Sequence, residues 1–235
     1  MAIFRVGGVA SDVRGSIGGQ TYSRNRTGAY IRNRTVPVNP GSSEQSAVRA
    51  LVSQLSNAWV TVLTAAQRAA WDAYADAVHL PNSLGELRNV GGIGMYIRGN
   101  VGRLQTQASE LARVDDGPLD LTVGDYSPPD LNLASEAAQT FGVVFDNTDA
   151  WANETGSAML IYASRPKNES VNYFKGPYRY AGKILGDDTT PPTSPATINA
   201  PFPFTEDQKL FFRVNVTRDD GRLGAEFRHS TLAVA

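Results

Sequence analysis

The sequence predicts an α+β protein with three parts: an extended Arg-rich N-terminal arm or hairpin, a small helical bundle, and a C-terminal all-β domain. Three observations favour this fold class. Positive charge is concentrated in residues 1–41, apolar residues recur at helical spacing within residues 42–117, and short β-rich runs fill residues 118–235. The number and spacing of these runs predict an immunoglobulin-like or fibronectin-III-like sandwich.

The arm, residues 1–41, contains a short internal repeat. Tyr22-Ser-Arg-Asn-Arg-Thr27 recurs eight residues later as Tyr30-Ile-Arg-Asn-Arg-Thr35. A β-hairpin turning near Gly28 and an extended ribbon along a partner both fit this spacing. If both copies are extended, side chains alternate between two faces, and the partner-binding candidates are expected to share one of them. These candidates are Tyr22, Arg24, Arg26, Tyr30, Arg32 and Arg34.

Residues 42–117 are predicted to form three short helices that act as a docking domain. Two capping-box sequences, Ser42-Ser-Glu-Gln45 and Thr64-Ala-Ala-Gln67, mark the first two helix starts. Apolar stripes follow at helical spacing: Val48, Leu51, Val52, Leu55 and Trp59, and then Ala70, Trp71, Tyr74, Ala77 and Val78. A third helix is expected over about Ile93 to Leu111.

The third part, residues 118–235, is predicted to be all-β. The runs that favour strands are Leu119–Val123, Thr140–Phe145, Ala158–Ala163, Tyr178–Leu185, Leu210–Thr217 and the stretch near Ala225–Val234. The fifth run alternates well, with Leu210, Phe212, Val214 and Val216 on one face. Asp219-Asp-Gly221 then supplies a hairpin turn.

Composition excludes several classes of function. The chain has 235 residues and no cysteine, so it has no disulfide framework, no cysteine-ligated zinc and no thiol catalysis. No stretch reaches the roughly 18 apolar residues of a membrane helix, and the N-terminus lacks the apolar region of a secretory signal. We expect a soluble protein made in a cytoplasm, with no membrane partner.

Catalytic patterns are equally scarce. His79 and His229 have no Asp, Glu or His nearby at ligand spacing, and no Gly-x-Ser-x-Gly occurs. The glycine-rich stretch Gly91-Gly-Ile-Gly94 lacks the lysine of a phosphate-binding loop, and the paired aspartates are typical of turns. The sequence therefore predicts a protein that is not an enzyme, with no catalytic residue, no metal site and no cofactor.

Charge is divided unevenly along the chain. Residues 1–41 hold six arginines and one aspartate, a net charge of +5, while the rest holds 16 basic and 22 acidic residues, a net charge of −6. Arginines and tyrosines of the arm could hold phosphates and stack on bases, or pair with carboxylates of a protein. Because the rest of the chain is acidic, we favour a protein partner over nucleic acid.

Several segments together resemble a known group of proteins. They are Gly15-Ser-Ile-Gly-Gly19, Thr21-Tyr-Ser-Arg-Asn-Arg26, Arg34-Thr-Val-Pro-Val-Asn-Pro40, the helix with Leu55 and Trp59, Leu63-Thr-Ala-Ala-Gln-Arg-Ala-Ala-Trp71 and Ala73-Tyr-Ala75. This combination, within about residues 7–105, resembles small virion-associated structural proteins of tailed bacteriophages and prophages. The resemblance implies a role in the virion and carries over no catalytic residue.

The resulting functional hypothesis is a capsid decoration, or minor capsid, protein localised to the virion. Its arm would anchor it to the major capsid protein or another virion protein, and the chain would be a homo-oligomer in a symmetric particle. Three alternatives stay open: a head–tail connector or tail protein, a carbohydrate-binding or adhesion module, and a DNA-binding protein. The adhesion module would use exposed aromatic residues such as Trp151, Tyr173, Phe174, Tyr178 and Tyr180. Copy number per particle, glycan binding and salt-dependent DNA retention separate these alternatives.

Overall fold

The structure of the chain, a computed structural model, describes residues 2–3, 13–25, 28–35, 39–81, 86–106, 111–174 and 176–234. It divides into two compact units, Met1–Ser43 and Glu44–Ala235, which we call the N-terminal unit and the second unit. The mixture of helices and sheets confirms the α+β class predicted from the sequence. Arg26 and residues 36–38, which belong to the predicted arm, lie outside the described residues.

The N-terminal unit is a four-stranded antiparallel sheet in the order β1-β4-β3-β2. Its strands are β1 (Ala2–Ile3), β2 (Gly15–Ile17), β3 (Gln20–Asn25) and β4 (Gly28–Asn33). The turn between β2 and β3 is Gly18-Gly19, with φ angles of +57° and +84°. Two left-handed residues in succession are what a tight type I′ hairpin turn requires, and glycine adopts them without strain. Of the two arrangements open to the repeat, the structure has the hairpin.

The helices are α1 (Ser43–Thr61), α2 (Ala65–Ala77) and α3 (Gly92–Gln105), with the short strands β5 (Leu80–Pro81) and β6 (Leu87–Arg88) between α2 and α3. The second predicted capping box is confirmed: the Gln67 amide N–H donates to Thr64 Oγ1, and the Thr64 amide N–H donates to Gln67 Oε1. Trp71 and Tyr96 are buried together and meet edge to face at 5.7 Å between ring centres. Trp71, Tyr74 and Val78 of the predicted apolar stripe therefore form the centre of the helical core, whereas Ala77 is exposed.

The large sheet of the second unit has seven strands in the order β10-β9-β12-β13-β7-β8-β11. Their bounds are β7 (Asp130–Ser135), β8 (Thr140–Val144), β9 (Ala158–Ser164), β10 (Tyr178–Leu185), β11 (Ala196–Asn199), β12 (Lys209–Thr217) and β13 (Phe227–Val234). Neighbours are antiparallel except β7 and β13, which are parallel. The sheet curls so far that its two outer strands, β10 and β11, approach each other. A Cβ added to Gly182 of β10 would lie only 2.9 Å from the Ile198 side chain of β11.

The curled sheet differs from the predicted sandwich of two sheets. Hydrogen bonds link all seven strands into one sheet, and the parallel β7–β13 pair joins the part that contains β8 and β11 to the part that contains β9, β10 and β12. The core lies inside the curl. Phe141, Trp151, Phe212 and Val214 are fully buried there, which confirms the predicted inward face of β12.

The predicted strand at Leu119–Val123 is wrong. This segment has no strand, and the Leu119 side chain is 96% exposed. Short apolar runs favour strands only where a neighbouring strand can pair with them, and no described strand does so here. Strands β7 and β11 instead complete the sheet, and neither was among the predicted runs.

Helices and curled sheet belong to the same compact unit, although the sequence analysis divides them at residue 117. Arg103 of α3 is buried and donates from Nη1 to the Arg218 carbonyl at 2.8 Å, just beyond β12. Arg98 donates to the Leu223 carbonyl at 2.8 Å. The two guanidinium groups of α3 thus donate hydrogen bonds to carbonyls of the β12–β13 connection. These charge-assisted bonds join the helix to the sheet.

Candidate functional site

The six partner-binding candidates lie on the repeat of the N-terminal unit. Tyr22 and Arg24 belong to β3, Tyr30 and Arg32 belong to β4, and Arg34 follows β4, where its amide N–H donates to the Gly19 carbonyl at 2.8 Å. Arg26 lies outside the described residues. The hairpin therefore brings the two copies of the repeat side by side on neighbouring strands.

The register of this hairpin decides which candidates share a face. Tyr22 pairs with Ile31 and Arg24 with Ala29, whereas Tyr30 pairs with Ser23 and Arg32 with Thr21. Residues directly opposite each other on antiparallel strands lie on the same face of the sheet. Each pair joins an even-numbered residue to an odd-numbered one, so the two copies of the repeat point to opposite faces. The single face expected of an extended ribbon is therefore wrong for this hairpin.

The N-terminal sheet is only partly covered on both faces. None of the described residues between 13 and 43 is fully buried. Arg24, Arg32 and Arg34 are exposed, and Ile17 of β2 is 73% exposed. Within the described residues, this sheet therefore buries little apolar surface of its own. Its exposed cations and apolar groups make it a candidate interface for another macromolecule.

The second unit contains a charged cluster between two connections of the curled sheet. Glu154, in the β8–β9 connection, accepts hydrogen bonds from Ser157 Oγ at 2.6 Å, from the Asp219 amide at 2.8 Å and from Arg218 Nε at 2.8 Å. Burial raises the pKa of Glu154, but these donors, Arg218 foremost, outweigh burial and lower that pKa to about 2. Burial and the neighbouring Glu154 carboxylate raise the pKa of Asp219 to about 6. The cluster joins the β8–β9 and β12–β13 connections.

A polar groove of about 480 Å³ lies at the opposite end of the curled sheet, between the loops 166–169 and 205–208. Its charged lining residues are Lys167, Glu169, Glu206 and Asp207. The lining has no histidine, and two of its backbone amides already have acceptors. The Glu206 amide donates to the Glu136 carboxylate, and the Thr205 amide donates to the Gln208 side chain. The groove is therefore a surface depression between two loops.

Histidines and acidic residues do not gather into a metal site anywhere in the described ranges. His79 is exposed, and His229 Nε2 lies 3.3 Å from Asp130 Oδ1 at the surface of the curled sheet. Within the same ranges, no helix combines the length and the apolar character needed to cross a bilayer.

Most aromatic residues considered for glycan binding are engaged in packing. Trp151 is fully buried, and the rings of Tyr162 and Tyr180 meet edge to face. Tyr173 and Phe174 are exposed, and Phe174 packs its edge against Phe211. A flat row of exposed rings of the kind that stacks on sugars is therefore not formed by these residues.

Sequence reasoning missed the apolar part of the N-terminal interface. Ile17 and Ile31 lie on the same face as Tyr22 and Arg24, because Ile17 pairs with Gln20 and Ile31 pairs with Tyr22. The available signal was the spacing of the repeat. In a hairpin where Asn25 pairs with Gly28, even positions of one strand lie opposite odd positions of the next.

In comparisons with known proteins, the chain matches no protein-family model, no curated protein and no solved structure. Its function must therefore be inferred from its own surfaces, and the exposed cationic sheet of the N-terminal unit is the strongest candidate among the described residues.

Proposed function

We propose that this protein is a structural component of a tailed-bacteriophage virion, a capsid decoration or minor capsid protein that attaches through its N-terminal unit. The partner is the major capsid protein or another virion protein, and the chain repeats around the symmetry axes of the particle. In this proposal the curled sheet, predicted from the sequence to be an immunoglobulin-like or fibronectin-III-like sandwich, is the body of the protein. This body braces its neighbours or faces solvent.

One observation carries the proposal: the N-terminal unit combines a net charge of +5 over residues 1–41 with a sheet in which no described residue between 13 and 43 is fully buried. Arginine side chains pair with carboxylates in two-pronged contacts, and tyrosine rings bury apolar area at small entropic cost. Such a sheet becomes stable when a partner covers it. Repetition in a particle strengthens each contact, because neighbouring attachments raise the effective concentration.

The second unit supports a structural role in a different way. Its buried clusters are apolar and aromatic, and its charged cluster around Glu154 ties two loops together. These features hold a rigid body in shape. They fit a protein whose task is to occupy and brace a position in an assembly.

Purified particles test the proposal directly. We expect the protein to remain with intact particles through density-gradient purification and to appear at a fixed copy number, measured by quantitative mass spectrometry against the major shell protein. Hundreds of copies indicate a decoration protein, whereas about a dozen or fewer indicate the head–tail connector or a tail position. A protein that stays with the soluble lysate while particles assemble normally would contradict the proposal.

A further inference from the structure

The two faces of the N-terminal sheet have different chemistry. One face, which we call the apolar face, carries Ile17, Tyr22, Arg24, Ala29 and Ile31, together with Gly15, Gln20 and Asn33. The other, which we call the polar face, carries Ser16, Thr21, Ser23, Tyr30 and Arg32. The register of β1 also places Ile3 opposite Tyr30 on the polar face, and Ala2 opposite Ile31 on the apolar face. Ser16 and Thr21 already bond to each other at 2.9 Å between their hydroxyl oxygens. The two faces therefore offer a partner very different surfaces.

We propose that the N-terminal unit docks through its apolar face onto an acidic, partly apolar protein surface of the virion shell. Arg24 pairs with a carboxylate of that surface, and Ile17 and Ile31 enter apolar contact. The polar face, with Arg32, stays outside this contact. This assignment rests on the proposed function and names the part of the N-terminal unit that performs it.

Exposure and register support this choice of face. Ile17 is 73% exposed at the end of β2, and Arg24 is exposed on the central strand β3 of the same face. Interfaces between proteins combine an apolar centre with arginine and tyrosine side chains. Burial of the exposed Ile17 on binding supplies a driving force that its neighbour Ser16, on the polar face, lacks.

The same register favours a protein over a nucleic acid. A protein that binds a nucleic acid contacts successive phosphates with several cationic side chains on one surface. Here the hairpin sends Arg24 to one face and Arg32 to the other, so the described strands present a single arginine on each face. One arginine beside two isoleucines and a tyrosine matches a carboxylate within an apolar protein surface.

The repeat supplies a matched pair of variants. Arg24 and Arg32 occupy equivalent positions of the two repeat copies, both are exposed, and they lie on opposite faces of the central strands. In the full-length chain, we expect Arg24→Glu to reduce the number of copies per purified particle by roughly tenfold or more, the loss typical of a central interface residue. We expect Arg32→Glu to keep most copies. Equal losses, a larger loss for Arg32→Glu, or no loss for either variant would overturn the assignment.

A second measurement does not depend on substituting charge. A photo-crosslinking amino acid placed at Ile17 faces the proposed contact, and the same group at its neighbour Ser16 faces the other side. We expect shell-protein crosslinks from position 17 and few from position 16. Crosslinks from 17 to DNA, or equal shell crosslinks from both positions, would overturn the assignment. If the unaltered chain is absent from particles, the proposed function itself fails, which is a different result from an attached chain with the wrong face.

Discussion

Arg103 shows how a single side chain connects helix and sheet in the second unit. It is almost fully buried, and its guanidinium donates to the Ala112 carbonyl at 2.9 Å, Thr217 Oγ1 at 3.2 Å and the Arg218 carbonyl at 2.8 Å. Burial lowers its pKa, and the negative charges of Asp219, Asp220 and Glu154 partly offset that effect. The guanidinium is thus held mainly by neutral oxygen acceptors.

We expect Arg103→Ala to lower the free energy of unfolding by about 3 kcal/mol, because it leaves buried acceptors without donors and opens a cavity. Urea denaturation followed by tryptophan fluorescence measures the change, since Trp59, Trp71 and Trp151 all belong to the second unit. Arg88→Ala is the control: Arg88 is exposed on β6, and we expect no measurable change. A loss below about 1 kcal/mol for Arg103→Ala would mean that the network is dispensable.

The pKa of Asp219 gives the second unit a pH dependence of known sign. That pKa is raised to about 6 from an ordinary value of 3.8, through burial and the neighbouring Glu154 carboxylate. The folded state therefore binds the proton more tightly than the unfolded state, and ionisation of Asp219 destabilises the fold progressively as pH rises from about 4 to 6. The pKa of Glu154 is lowered to about 2 from an ordinary value of 4.5, so its stabilising contribution is complete above about pH 5 and is lost progressively as the pH falls from there towards 2.

We expect Asp219→Asn to raise the melting temperature relative to the unaltered chain at pH 7, with the difference shrinking towards pH 4, where Asp219 of the folded state carries its proton. Asp125→Asn serves as the control, because Asp125 is an exposed carboxyl in the segment before β7, away from the Glu154 hydrogen bonds. Thermal unfolding at both pH values measures the effect. A difference that grows as the pH falls would contradict the assignment of the raised pKa to Asp219.

At the scale of elements, the start of α2 is governed by a local sequence signal. Thr64 Oγ1 accepts from the Gln67 amide at 3.2 Å, and the Gln67 side chain accepts from the Thr64 amide at 2.8 Å. We expect Thr64→Ala to cost about 1 kcal/mol of unfolding free energy, the usual value for a lost helix cap. Thr61→Ala, in the last turn of α1, is the control, since its hydroxyl only bonds back to the Asn57 carbonyl. Equal effects of the two variants in urea denaturation would argue against the capping role.

Elements with a strong local signal were predictable from the sequence, and elements defined by distant pairing were not. The capping box at Thr64 and the alternation of β12 need only neighbouring residues to be recognised. Strand β7 pairs with the next strand, β8, and also in parallel with β13, which follows it by almost a hundred residues. The pairing with β13 cannot be read from the composition of β7. The segment at Leu119 has the composition of a strand but no partner, so it remains irregular.

The candidate site was predictable in its residues but not in its geometry. The repeat identified Tyr22, Arg24, Tyr30 and Arg32 from the sequence alone. Their distribution over two faces depends on whether the repeat folds into a hairpin and on the length of its loop. Both alternatives fitted the sequence, and only the hairpin separates the two copies.

At the scale of the whole molecule, close backbone approach fixes α3 against the curled sheet. A Cβ added to Gly99 of α3 would lie 2.3 Å from the Gly221 carbonyl oxygen, a distance that backbone atoms cannot tolerate. We expect Gly99→Ala to lower the free energy of unfolding by about 2 kcal/mol despite the better helix propensity of alanine, because the helix must move off the sheet. Ser53→Ala, on the exposed side of α1, is the control for urea denaturation. An unchanged or increased stability of Gly99→Ala would contradict this tight contact.

In our proposal the N-terminal unit attaches the protein to the particle, and the second unit folds without it. Particle attachment of a truncated chain tests both statements together. We would compare the copies per purified particle for the full chain and for a chain lacking residues 1–43, with tryptophan fluorescence to verify that the second unit is folded. We expect the truncated chain to be folded and to be absent from purified particles. Attachment of the truncated chain at the copy number of the full chain would contradict the proposal.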